Sequence, residues 1–348
     1  MFALVGRNNS GKTLLFSALT GIEYKRLLAS GARKTCATIR IKDPRLEVIR
    51  ERVGGDKRIV YPLVELVDTI SLRLDGDTQG NRGILAGIRE AEGLILVIRL
   101  FDLGDKASFE QICHLARQEI SKIKGELMLS DLDIIERRVT KLKELSKRPA
   151  QFREEHKREL EILTRLLQDI PEDKTQFLST LSQQDSKRLA GFQFFAQKPM
   201  MVILNIGEQS IPQLARLNQV EGLGIPVVAL AVRLEAELCT MEEDERLSFM
   251  QGYGLSELSI AKLALKIYHS LGFKIFFTIG RDEVAGWGLK GEASAIDAAG
   301  KIHTDMAKGF ISGEVISYED WLAHGRARLE GKDYRVVDGD IIQFKFSV

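Results

Sequence analysis

The chain has 348 residues, 44% of them hydrophobic and 28% charged. That length and composition suit a globular protein of two or three domains. Its 50 Lys and Arg balance 49 Asp and Glu, so no overall field draws it to DNA or to a membrane, and any RNA contact must come from a local patch. Cys36, Cys113 and Cys239 are odd in number and far apart. They exclude a disulfide framework and a clustered metal site, and they fit a reducing compartment.

The opening stretch sets the expectation for everything after it. Phe2 to Val5 reads as a short apolar strand and Lys12 to Leu19 as a helix. Between them lies Gly6-Arg7-Asn8-Asn9-Ser10-Gly11-Lys12-Thr13, which fits G-x-x-x-x-G-K-T. In a strand–loop–helix setting this pattern is a phosphate-binding loop. The glycines let backbone N–H groups wrap an anion, and the helix N-terminus adds partial positive charge. Asn9, Ser10, Gly11, Lys12, Thr13 and Leu14 are therefore expected around the nucleotide. Lys12 would reach the terminal phosphates, and the Thr13 hydroxyl would face Mg2+. With a strand expected this close to the first residue, no leader is expected. The longest apolar run, Leu94 to Leu100, is too short to span a bilayer, so the expected setting is cytoplasmic.

Further along, Ala37 to Lys42 alternates like a strand and is followed by a turn at Asp43-Pro44-Arg45. Thr35 and Thr38 are candidates for a second hydroxyl on the metal. Spacing does not choose between them; Thr35 is preferred, and Thr38 also reads as an ordinary strand threonine. Ile59 to Val67 predicts a single strand ending in Asp68, whose carboxylate stands where the metal shell needs an acceptor. Asp68-Thr69-Ile70-Ser71-Leu72 follows the outline of a switch segment, with Ser71 in place of a glycine and Leu72 in place of a water-orienting glutamine. Asp75 to Gly83 predicts a mobile loop, Ile84 to Glu90 a helix, and Leu94 to Leu100 a buried strand. This order is the front half of an α/β nucleotide-binding sheet.

From Phe109 to Ala196 no strand is expected. Leu132, Ile135, Val139, Leu142 and Leu145, then Leu160, Leu163, Leu166 and Leu167, keep helical spacing around Pro149. They predict an antiparallel helical hairpin. Arg137, Arg138, Lys141, Lys143, Lys147, Arg148, Arg153, Lys157 and Arg158 gather near its turn. They read either as a tip for RNA phosphates or as a solvated face with i,i+4 partners. The α/β pattern resumes with a strand from Met200 to Leu204 that runs into Asn205-Ile206-Gly207-Glu208. A GTPase has N-K-x-D here. With Ile206 for the lysine and Glu208 for the aspartate, guanine preference should fall and adenine become admissible. A strand is expected at Val227 to Val232, helices at Arg246 to Gly252 and Ser256 to Leu271, and a small α+β module from Phe273. Lone His303, Trp287 and Trp321 read as structural.

The chain resembles the Obg-like ATPases, the YchF subfamily of P-loop proteins, over nearly its whole length. The resemblance is carried by GRNNSGKT, DPRL at Asp43 to Leu46, GNRGILAGIRE from Gly80, ELMLSDLDIIERR, NIGE at Asn205 to Glu208, RLEAEL from Arg233 and the run from FFTIGRDEVAGW to VVDGDIIQFKF. It implies a P-loop NTPase sheet with an inserted antiparallel helical hairpin and a C-terminal β-grasp (ubiquitin-like) TGS domain. The expected division is 1–108 and 197–272 for the nucleotide-binding domain, 109–196 for the insertion and 273–348 for TGS. It further implies binding of ATP in preference to GTP, Mg2+ as cofactor, K+ held with the help of Asn9, and a ribosome or structured RNA as partner. The chain departs from the family in its divergent segment before DPRL, in D-T-I-S where D-x-A-G is usual, and in lacking the histidine that usually follows. Two expectations stand side by side. One is a slow Mg2+-dependent ATPase; the other is a nucleotide-gated RNA- or ribosome-binding module with little hydrolysis.

Overall fold

The structure is a computed structural model that describes residues 1–32, 34–73, 78–104, 107–148, 153–168, 181–220 and 223–347. The chain forms two compact units, Met1–Cys36 with Val67–Ser256, and Ala37–Leu66 with Glu257–Val348. The division falls inside two strands. The expected boundary at 273 therefore lies within the second unit, which also takes in 37–66.

The first half of the chain runs β1 (Phe2–Val5), α1 (Lys12–Thr20), α2 (Tyr24–Ser30), β2 (Lys34–Arg40), α3 (Pro44–Arg52), β3 (Arg58–Val60), β4 (Leu63–Thr69), α4 (Thr78–Ile88) and β5 (Gly93–Leu100). The expected turn at Asp43-Pro44-Arg45 is the start of α3. Asp43 is its N-cap, accepting from the Arg45 N–H at 3.0 Å, and Pro44 takes the first helical position, where no N–H is needed. The single strand expected over Ile59 to Val67 is two strands, because Tyr61 and Pro62 interrupt it and proline cannot donate to a ladder. Residues 78–83, expected in a loop, belong to α4, while 74–77 lie outside the described residues.

Next come α5 (Phe109–Ser146), α6 (Glu154–Gln168), α7 (Gln183–Arg188), β6 (Met200–Ile206), α8 (Leu214–Leu217), β7 (Val227–Leu230), α9 (Val232–Leu238) and α10 (Glu243–Gly252). Among the described residues between 109 and 196 there is no strand. A full capping box, Ser108 with Gln111, starts α5. The apolar stripes of the hairpin meet as expected. Ile135, Val139 and Leu142 of α5 pack with Ile162, Leu163 and Leu166 of α6. Its turn, with Pro149, lies outside the described residues.

In the sheet of this unit the strand order is β2-β4-β1-β5-β6-β7. Strands β1, β5, β6 and β7 are parallel neighbours and almost wholly buried, which is why their sequences are near-continuous apolar runs. Such a sheet presents the C-terminal ends of its strands along one edge; the phosphate loop follows β1, Asp68 lies near the end of β4 and Asn205 to Glu208 lie at and just past the end of β6, while Thr35 lies at the start of β2.

The remaining elements are α11 (Ser259–Ser270), β8 (Phe273–Ile279), β9 (Glu283–Lys290), α12 (Ala295–Ile302), α13 (Thr304–Lys308), β10 (Phe310–Ser317), α14 (Tyr318–Leu322), β11 (Arg328–Glu330) and β12 (Asp340–Phe346). Their sheet order is β11-β10-β12-β8-β9-β3. β8 and β9 form an antiparallel hairpin, β12 runs parallel to β8, and β10 is antiparallel to β12. This is the β-grasp arrangement, extended by β3, which pairs parallel with β9. Phe276, Ala298, Val315 and Ile342 make its core. Arg45 fixes α3 to the module. It pairs with Asp43 at 2.7 Å and Asp338 at 2.9 Å and lies 5.0 Å over the Phe277 ring. His303 caps α13 through Nδ1, and the Trp287 Nε1–H donates to Thr278 Oγ1 at 2.9 Å. Both therefore have structural partners. Among the described residues no helix is long and apolar enough to cross a membrane.

Candidate functional site

Residues 6–13 form a tight loop between β1 and α1, and its glycines are dictated by their surroundings. A Cβ on Gly6 would sit 2.6 Å from the Val97 carbonyl oxygen. Gly11 has φ +95°, in the left-handed region, and a Cβ there would collide with the Asn205 amide. Asn9, at φ 57°, is the other left-handed residue of the loop. We expect Gly11→Ala to lower folding stability by roughly 1–3 kcal/mol and to weaken nucleotide binding with it. Urea denaturation and a nucleotide titration would check both.

Lys12 is 4% exposed. Its Nζ donates to the Gly6 carbonyl at 3.2 Å, the Arg7 carbonyl at 3.1 Å and Ser71 Oγ at 2.8 Å. Burial pulls its pKa down to about 8, with the nearby Asp68 carboxylate opposing the drop. Asp68, at the end of β4, is 9% exposed, and burial raises its pKa against hydrogen bonding from Thr13. Its Oδ1 is buried without a hydrogen-bond partner. A hydroxyl beside a carboxylate, one oxygen of which is buried and unpaired, offers the hard oxygen donors that a magnesium ion takes. The residues present therefore fit that ion.

Two cavities flank the loop. One, of about 510 Å3, is lined by Asn8, Thr13, Thr35, Asp68 and Ser71, with Leu27 and Leu28 of α2. Thr35 thus shares a cavity with Thr13 and Asp68. Thr38 is exposed on the opposite face of β2 and does not line it. Leu72 turns inward: it is 3% exposed, and its N–H donates to the Gly6 carbonyl at 3.0 Å. The side chain in the glutamine's place is therefore packed away from solvent.

The second cavity, of about 540 Å3, is lined by Asn9, Gly11, Leu14, Asn205, Ile206 and Glu208. The structure adds Tyr24, Phe101, Arg233 and Leu234, which sequence reasoning missed. Asn205 braces this wall. Its Nδ2 donates to the Ser10 carbonyl at 2.9 Å, and its Oδ1 accepts from the Val232 N–H at 3.3 Å. Ser10 is 1% exposed with its hydroxyl unpaired beneath the loop, so its backbone is the part engaged with neighbours. Glu208 is exposed and accepts from the Tyr253 hydroxyl at 2.7 Å.

Three contacts tie these elements to the long helix α5. Arg7 of the loop pairs with Glu119 at 3.2 Å. Asn81 of α4 brackets the Arg73 backbone and donates to Glu126 at 2.9 Å. Arg89 of α4 pairs with Asp131 at 2.7 Å. The basic residues near the hairpin turn divide. Arg137, Arg138, Lys157 and Arg158 are ion-paired within the hairpin or to Asp185. Lys141, Lys143, Lys147, Arg148 and Arg153 are exposed and have no acidic partner among the described residues.

Comparison with known proteins gives a consistent result. Residues 1–135 match a family model described as "50S ribosome-binding GTPase". Residues 273–347 match one for the YchF GTPase C-terminal region, described as "Protein of unknown function (DUF933)". The chain is 34% identical over 368 residues to the "Ribosome-binding ATPase YchF" of Haemophilus ducreyi, covering 99% of this chain and 98% of that protein. It is 33% identical over 371 residues to the protein of the same name from Pasteurella multocida, with the same coverage. The structure of the Schizosaccharomyces pombe YchF GTPase aligns with a TM-score of 0.71 at 21% identity, over 99% of this chain and 97% of that one, and so shares its fold.

Proposed function

Since this chain belongs to the YchF family, we propose that it binds and slowly hydrolyses nucleoside triphosphate with Mg2+, taking ATP in preference to GTP, in association with the ribosome. The observation that carries this reading is the meeting of Lys12, Thr13 and Asp68, with Asp68 Oδ1 left unpaired, beside the loop. Lys12 and the loop N–H groups hold the phosphates and offset the charge that builds on them as the terminal bond breaks. Thr13, Asp68 and Thr35 would hold the magnesium ion, which would supply positive charge against the phosphates. A monovalent cation such as K+ beside Asn9 belongs to the same proposal. Hydrolysis is slow on this reading because Leu72 offers no hydrogen bond to a water and, among the described residues, no general base stands in its place. Asn205 keeps the loop against the wall of the base cavity. Ile206, Phe101 and Tyr24 supply apolar surface for a purine, and Glu208 reads its edge.

On this reading the protein works in the cytoplasm, with the unpaired basic residues Lys141 to Arg153 as one surface for RNA phosphates. A titration of ATP and GTP into purified protein, with magnesium and then with EDTA, tests the site. ATP should bind about tenfold or more tighter than GTP, because a base edge left unpaired in a hydrogen-bonding pocket is strongly disfavoured. Both affinities should fall in EDTA. Tighter binding of GTP would overturn the base assignment. Failure to sediment with ribosomes at low salt would overturn the ribosomal one.

A further inference from the structure

We propose that Tyr253 is a specificity-determining positioning residue: by donating its hydroxyl to Glu208 Oε2, it leaves that carboxylate one free oxygen with which to read a purine edge. The inference rests on the base-cavity reading above and deepens it. The Tyr253 hydroxyl lies 2.7 Å from Glu208 Oε2. Among the described residues nothing donates a hydrogen bond to Oε1. Glu208 itself lines the cavity with Ile206, Phe101 and Arg233.

The position of Tyr253 is built by the backbone. It is the C-cap of α10, and it is followed by Gly254 at φ 68°. The Leu255 N–H donates to the Met250 carbonyl at 2.9 Å and the Gly254 N–H to the Gln251 carbonyl at 3.0 Å. These are the two bonds of a Schellman motif, which fixes where the helix ends and so where the C-cap side chain projects. The phenol is therefore presented to Glu208 by a fixed helix end and not by a wandering loop.

The chemistry of the two bases gives this contact a consequence. Guanine offers two parallel donors, N1–H and the 2-amino group, which together ask for both oxygens of a carboxylate. Adenine offers one donor on that edge, the 6-amino group, and one free oxygen satisfies it. With Oε2 already accepting from Tyr253 and the carboxylate turned toward the phenol, that oxygen is the weaker and worse-aimed acceptor for a second donor, so a guanine bears a penalty on one of its two donors that an adenine does not, and specificity comes from that penalty as much as from attraction to adenine.

Tyr253→Phe removes one oxygen and keeps the ring. ATP, GTP and ITP, which lacks the 2-amino group, are titrated into the wild-type and variant proteins in magnesium buffer. The expected result is that Tyr253→Phe raises GTP affinity relative to ATP about tenfold, the scale of one hydrogen bond to a charged group, with a smaller gain for ITP. In a Glu208→Ala background the same substitution should leave all ratios unchanged, as a coupled pair requires. An equal change for all three nucleotides, or no change in the GTP to ATP ratio, overturns the proposal while the base-cavity reading stands. A wild-type protein that binds ATP and GTP alike overturns both, and that is seen before any variant is made.

Discussion

Replacing Lys12 with methionine is expected to stop hydrolysis and, at the same time, to make the nucleotide-free protein more stable at pH 7. The first effect follows from losing the charge that faces the phosphates. Removing one preorganised donor of this kind costs roughly 100- to 1,000-fold in kcat. The second follows from burial. Lys12 is 4% exposed, and desolvation pulls its pKa from 10.5 to about 8. That difference corresponds to about 3 kcal/mol set against folding with the amine charged. Below pH 8 the amine is charged in both folded and unfolded chains, and folding bears the whole penalty. As pH rises from 8 past 10.5 the unfolded chain also gives up its proton, and the penalty vanishes. Lys12→Met should thus gain up to about 3 kcal/mol over wild type at pH 7 and almost nothing at pH 10.5. Urea unfolding of the metal-free, nucleotide-free proteins at both pH values checks it. A variant less stable than wild type at pH 7 would show that the three hydrogen bonds of Nζ outweigh its desolvation.

The second large effect is structural. Asp131 of α5 is fully buried. It pairs with Arg89 at 2.7 Å and accepts from the Ala196 N–H at 3.0 Å. Arg89 also donates to Ser130 Oγ at 2.6 Å and lies 4.2 Å over the Phe195 ring. Asp131→Ala would leave that guanidinium with the Ser130 hydroxyl and the Gln193 carbonyl but without its counter-ion. Breaking a buried pair in this way costs about 3–5 kcal/mol, and the Ala196 N–H loses its acceptor besides. Denaturant midpoints should fall accordingly. Asp131→Asn, which keeps the shape and one of the two acceptor oxygens, should lose less. A change below 1 kcal/mol in Asp131→Ala would mean that Arg89 swings out to water and that the pair contributes little.

Local chemistry was legible in the sequence and long-range assembly was not. The phosphate loop could be read because its spacing lies within eight residues, and the place of Asp68 near the end of β4 because the apolar run before it stops there. The helical hairpin could be read because its apolar period continues over many turns. The reading failed where neighbours in space are distant in sequence. Nothing near Ile59 announces that β3 will pair with β9 and join the β-grasp sheet. Two signals were present and outweighed by the alternating pattern around them. Asp43-Pro44 is a helix-start signature, and Pro62 breaks a run that otherwise reads as one strand. The walls of the cavity beside Asn205 left no signal. Tyr24, Phe101, Arg233 and Tyr253 follow no spacing rule, and only the folded chain brings them to Asn205 and Glu208.

The grip on α5 has a mechanical side. Glu119, Glu126 and Asp131 are held by Arg7, Asn81 and Arg89, and all three lie in the first two-thirds of the helix. Past Asp131 the helix is braced by α6, through Arg138–Glu159 and the apolar stripe. From Asp131 to Ser146 the helix extends roughly 22 Å at 1.5 Å per residue. A tilt of about 10° at the held end would therefore sweep the far end through roughly 4 Å, more than the width of one helical residue step. Glu119 lies about 18 Å before Asp131 at the same rise, so such a tilt corresponds to a shift of roughly 3 Å at the end that Arg7 holds, and the arm carries a movement of the loop to its far end at about its own size.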